Sequence, residues 1–131
     1  MVARRVLSVG QCGVGHAAIR RLFRQRFDAD VVPAATTPEA LEELRRAQYD
    51  LVLANRVFTR GGAGFDLIVA IKSDGVLHAI PVILVSDQLA AQERAVALGA
   101  VPGFGKAALA RPETAERIAA ALNHAVPAVG F

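Results

Sequence analysis

The chain has 131 residues, 53% hydrophobic and 21% charged, with a net charge of +3; this is one domain with a real core, and it excludes a disordered segment. No apolar run approaches the roughly 18 to 20 residues that cross a bilayer, so no membrane partner is expected. The arginines (Arg4, Arg5, Arg20, Arg21, Arg24, Arg26, Arg45, Arg46) are scattered and no aromatic residues interleave with them, which reads as a solvated surface and not as a nucleic-acid footprint.

In chain order, short apolar runs alternate with stretches of helical period, the pattern of βα units around a parallel sheet. The opening MVARRVLSVG has no small-residue cleavage pattern and reads as a first strand, Arg5–Val9, not a signal peptide. Helix one is expected over Val14–Arg26, with Ala17, Ala18, Leu22 and Phe23 on one face. Strand two is Ala29–Ala34. Helix two runs near Pro38–Ala47, with Thr37 as N-cap, Pro38 at the first position and Glu39 near the positive end of the dipole. Strand three is Leu51–Ala54, and the glycine-rich loop TRGGAG (Thr59–Gly64) after it is flexible by composition. Helix three follows at Phe65–Ser73, strand four at Pro81–Val85, and a short helix four at Ala90–Leu98, stopped by Gly99. Strand five is Val101–Phe104, and helix five spans Pro112 to about His124 with Ala119, Ala120 and Leu122 inward. Five such units predict a doubly wound α/β domain over residues 1–125, with helices on both faces and a short apolar tail at 126–131. Cys12 is the only cysteine, so an internal disulfide is ruled out and a reducing cytoplasm suits the chain.

A doubly wound sheet puts its site at the carboxyl ends of the strands. There the first turn reads SVGQCGVGH, which contains Gly13-x-Gly15-x-x-Ala18, a GxGxxA pattern between strand and helix where N–H groups and the helix dipole favour a phosphate. A dinucleotide site also needs an acid at the end of strand two, and that place reads Ala34-Ala35-Thr36. Glycines that only make a tight turn explain the pattern as well. Cys12 and His16 have the spacing of two metal ligands on one helix face, but no third or fourth ligand stands nearby in sequence, and no metal is expected.

The later strands read YDLVLANRVF, HAIPVILVSD and ALGAVPGFGKAAL. Together with the βα order they resemble the receiver domain of two-component response regulators, over essentially the whole chain. The resemblance implies a flavodoxin-like fold, a five-stranded parallel sheet of order 2-1-3-4-5. It also implies a phosphorylation site of two acids after strand one, an aspartate after strand three, a Ser or Thr after strand four and a Lys after strand five. Ser86 and Lys106 match the last two. The acid pair falls on Gly10 and Gln11, and the phosphoacceptor on Asn55. Mg²⁺ wants hard oxygen ligands, so its binding is expected to be lost, and Asn55 has no carboxylate to attack phosphorus. The family's aromatic switch position falls on Gly103, and RVFTRGGAGFDL after Asn55 looks about two residues longer than the family's usual loop. The resemblance is thus to a pseudo-receiver.

Two functions stay open. One is a phosphorylation-independent protein-binding module, cytoplasmic and not an enzyme, docking a signalling protein or a second copy of itself through the surface that the family uses, here about Ala90–Leu98, Val101–Phe104 and Pro112–His124. The other is a sensor holding a nucleotide or other anion with the Gly10–Gly15 turn and Lys106. Its pocket combines Gly13 and Gly15 N–H groups with Arg56, Ser86, Lys106 and Arg60, and the Thr59–Gly64 loop serves as a lid. Asp87 is expected either to cap helix four or to pair with Lys106.

Overall fold

Alternation along the central strands sets the architecture. In the computed structural model, which describes residues 4–124, β1 (Arg4–Val9), β2 (Ala29–Ala34), β3 (Leu51–Asn55), β4 (Val82–Val85) and β5 (Val101–Phe104) form one parallel sheet of order β2-β1-β3-β4-β5. Successive side chains point to opposite faces. Leu7, Val9, Val52, Ala54, Val82 and Leu84 face one helical layer, while Val6, Leu51, Leu53, Ile83 and Val85 face the other, and all of these are buried. This is why the middle strands read as continuous apolar runs. The two edge strands each carry a proline, Pro33 in β2 and Pro102 in β5, which cannot donate to a further strand and so blunts pairing with another sheet.

The first layer is α2 (Thr37–Arg46), α3 (Gly64–Lys72) and α4 (Leu89–Ala97); the second is α1 (Gly13–Phe27) and α5 (Pro112–His124). The sheet order and the two-sided helix arrangement are as the sequence implied. Several details differ. The inward face of α1 is Gly15, Ile19 and Phe23, with Ala17 and Ala18 exposed; alanine is small enough to suit either side, so it misdirected the choice of face. For the same reason Ala120 of α5 is exposed while Ile118, Ala121 and Leu122 are buried. Thr36, not Thr37, caps α2: its Oγ1 accepts from Glu39 N at 3.4 Å and donates to Glu39 Oε2 at 3.1 Å. Gly99 ends α4 at φ 114°, the backbone that favours glycine. The tail at 126–131 lies outside the described residues, among which no helix is long and apolar enough to cross a membrane.

Candidate functional site

At the carboxyl end of β1 the chain turns at Gly10, φ 78°, and the space beside it is taken by an aromatic ring. An ideal Cβ on Gly10 would lie 2.1 Å from Cδ1 of Phe58, far inside contact. Phe58 is 2% exposed and belongs to the core between the sheet and the α2–α4 layer. The ring thus stands where a side chain at position 10 would go. It is held there by the loop after β3, which closes on itself: Val57 bridges Ala63, Phe58 N donates to Gly62 O at 2.9 Å and Gly64 N to Arg56 O at 3.0 Å. Thr59 N and Oγ1 both donate to the Gly10 carbonyl at 3.2 Å. The loop expected to be a free lid is therefore a pinned hairpin, with an apolar anchor that its glycine content concealed.

Asn55, at the end of β3, turns its amide into the same knot. Nδ2 donates to Gly10 O (3.3 Å) and Val57 O (3.0 Å), and Oδ1 accepts from Arg56 N (3.1 Å). Gln11 follows Gly10 with both polar atoms of its amide shut from solvent and without a hydrogen-bond partner among the described residues. A small hard cation needs several oxygen ligands, carboxylates above all. Gly10, Gln11 and Asn55 bring no carboxylate; they offer two neutral amide oxygens, of which the Asn55 one already accepts from Arg56 N, and no group of three His, Cys, Asp or Glu gathers among the described residues. These side chains do not fit Mg²⁺.

The other half of the strand ends is open. Asn55, Arg56, Val57, Ser86, Asp87 and Lys106 line a cavity of about 320 Å³. Ser86 Oγ accepts from Gln88 N at 3.1 Å, while Asp87 neither caps α4 nor pairs with Lys106. Its carboxylate accepts from Ala107 N at 3.3 and 3.4 Å and packs over Gly105, so it caps the short 3-10 turn Lys106–Ala108. Lys106 is exposed and has no carboxylate within 4.0 Å among the described residues. It lies on the first turn of α1, where a Cβ on Gly15 would stand 2.8 Å from Nζ. The Gly15 N–H is already spent on Cys12 Sγ at 3.3 Å, so the cysteine caps the helix. That N–H bond is the largest influence and lowers the Cys12 thiol below its ordinary pKa; desolvation, next in size, opposes it, and the charge of Lys106 adds a smaller lowering. Gly13 opens α1 with open space where a Cβ would stand, and Arg60 stands at the exposed tip of the hairpin.

Beside this cavity, α4, β5 and α5 make an apolar surface. Leu89 is 74% and Val96 44% exposed. They line a groove of about 400 Å³ with Gln92, Glu93, Pro102, Gly103 and Arg117, and a second hollow of about 260 Å³ lies across Arg117 against Val101, Pro102, Ala120 and Ala121. β5 is thin here because Pro102 and Gly103 carry little side chain, so the floor between the helices sinks.

Comparison with known proteins agrees with this geometry. No family model matches the sequence and no curated relative matches it. Solved structures do. The chain is similar to a protein of Chloroflexus aurantiacus J-10-fl described as a response regulator, at 17% identity over 93% of this chain and 99% of that one, with a TM-score of 0.81. It is similar to the signal receiver domain of a DNA-binding response regulator from Colwellia psychrerythraea 34H, at 23% identity, 92% and 98% coverage and a TM-score of 0.77. A response regulator from Thermotoga maritima matches at 22% identity, 93% and 99% coverage and a TM-score of 0.75. What these share with the chain is the fold, that of response regulator receiver domains.

Proposed function

We propose that the chain is an atypical receiver in two-component-type signalling, a cytoplasmic docking module that works through protein contact without being phosphorylated. The Phe58 ring beside Gly10 carries this reading. A receiver's chemistry needs acids and a metal at that place, and here the volume is core, closed by a hairpin whose donors converge on the Gly10 carbonyl. The α4–β5–α5 surface is the docking face, with Leu89 and Val96 as its apolar anchors and a signalling protein or a second copy of the chain as its partner. An enzyme is not supported, since neither Ser86 nor Cys12 has a base beside it among its hydrogen-bond partners.

A second reading, an anion sensor, draws on the open cavity with Lys106 and Arg56 at its wall. Thermal melts separate the two, because a ligand that binds only the folded form raises the melting point. The docking reading expects no rise with Mg²⁺ plus beryllofluoride, phosphate or ATP at millimolar concentration; a rise with phosphate or ATP alone moves the function to sensing. In parallel, L89E is expected to abolish self-association or partner capture, whereas V76E, at the 84% exposed Val76 before β4, leaves it intact.

A further inference from the structure

The two backbone polar groups of Gly103 are taken by two different helices. Its N–H donates to Gln92 Oε1 of α4 at 3.1 Å, and its carbonyl accepts from Arg117 Nη1 of α5 at 2.6 Å. The cause is an irregularity in the sheet. Ile83 pairs with Val101 and Val85 with Phe104, so Pro102 and Gly103 together face Leu84 alone. Pro102 has no N–H, and the bulge turns Gly103 away from the ladder. Gln92 fills the gap from the side: its Nε2 donates to Leu84 O at 2.7 Å and to Ser86 O at 3.0 Å. One side chain thereby ties α4 to β4 and β5, and Gly103 passes the tie on to α5. Position 103 must be glycine for this, since a Cβ there would lie 2.5 Å from the Leu84 carbonyl oxygen and 2.9 Å from Gln92 Oε1.

We propose that Gln92, Gly103 and Arg117 form a staple that holds α4, β5 and α5 as one rigid face, so that the docking surface is presented continuously and not assembled by a rearrangement. This rests on reading that face as the docking surface. Gln92 and Arg117 are positioning residues here: they fix the geometry between Leu89, Val96 and Ala120 instead of supplying the apolar contact.

Hydrogen exchange on the intact chain tests the staple without any partner. The Gly103 amide has a side-chain acceptor, so its protection depends on Gln92. Q92A is expected to speed its exchange about tenfold or more, with the amides of Leu89–Ala97 following and those of β1 and β3 unchanged. Q92M keeps the side chain's length without the amide and gives the same pattern if Q92A folds poorly. G103A, whose methyl crowds both the Leu84 carbonyl and Gln92 Oε1, is expected to loosen the same amides. A Gly103 amide as protected in Q92A and Q92M as in the parent overturns the staple, and so does acceleration spread evenly over β1 and β3. Because the readout needs no partner, that result leaves the docking reading to the separate Leu89 experiment.

Discussion

The strand ends divide into two regions built on opposite principles. On the β1–β3 side, Asn55 is hydrogen-bonded to the Gly10 carbonyl, the Phe58 ring packs against Gly10, and the hairpin after β3 closes over them. On the β4–β5 side, Ser86 and Lys106 stand at an open cavity next to an exposed apolar groove. The difference teaches how one sheet end divides its work: beside Gly10 the Phe58 ring fills the space as core, while the side that carries the Ser86 hydroxyl and the Lys106 cation keeps its solvent access. Stability should therefore be sensitive on the first side and surface behaviour on the second.

The largest effect should come from the ring. Phe58→Ala removes a buried aromatic that anchors the hairpin, and is expected to cost about 3 to 5 kcal/mol in a chemical denaturation curve. Gly10→Ala should also destabilise, by about 3 kcal/mol, because the added methyl meets the ring and the left-handed backbone penalises a Cβ. Combined, the two changes should cost clearly less than their sum, since the truncated residue no longer fills the place of the new methyl. Strict additivity would mean that the two positions do not compete for one volume, and the contrast between the halves of the site would lose its basis.

A smaller effect is expected at Asn55. Asn55→Asp removes the Nδ2 donor that serves Gly10 O and Val57 O and sets a carboxylate against two carbonyl oxygens, a loss of about 1 to 3 kcal/mol. Incubated with a small phosphoryl donor and Mg²⁺, the variant should take up no phosphoryl group by mass spectrometry, because positions 10 and 11 still carry no acid and Phe58 fills the space beside Gly10. Uptake at that position would sharpen the comparison the other way: the closed half would then be one substitution from working.

Much of this was legible in the sequence. The apolar runs, Pro38 at the start of helix two and the Gly99 stop marked the βα order, and the places of Asn55, Ser86 and Lys106 after strands three, four and five put them at the same sheet end. What stayed hidden was long-range complementarity. Gly10 and Phe58 are a small residue and a large one that explain each other, but 48 positions separate them, as the numbering gives, and no local period connects the two. The hairpin was hidden for a related reason, since Thr59–Gly64 reads as flexible until the bridge from Val57 to Ala63 and the buried Phe58 are seen. Asp87 was misread because both expected partners were near in sequence or opposite in charge, whereas its partner is the backbone of Ala107.

The smallest effect is the most direct probe of the open half. Cys12 is exposed, accepts from Gly15 N and feels the charge of Lys106, so its thiol ionises at a lower pH than an ordinary cysteine. A thiol depressed in the folded state helps the fold above its unfolded pKa, and that help fades as pH falls through the folded value. Alkylation by iodoacetamide should accordingly rise at a lower pH in the folded chain than in urea. Lys106→Met should move the folded profile back toward higher pH without restoring the unfolded one, because the Gly15 N–H still serves the sulfur. An identical profile for Lys106→Met and the parent would mean that the lysine does not rest on the first turn of α1 in solution. The open half would then be a cavity whose cation points to water, and the anion-sensing alternative would lose its main support while the docking face stood unaffected.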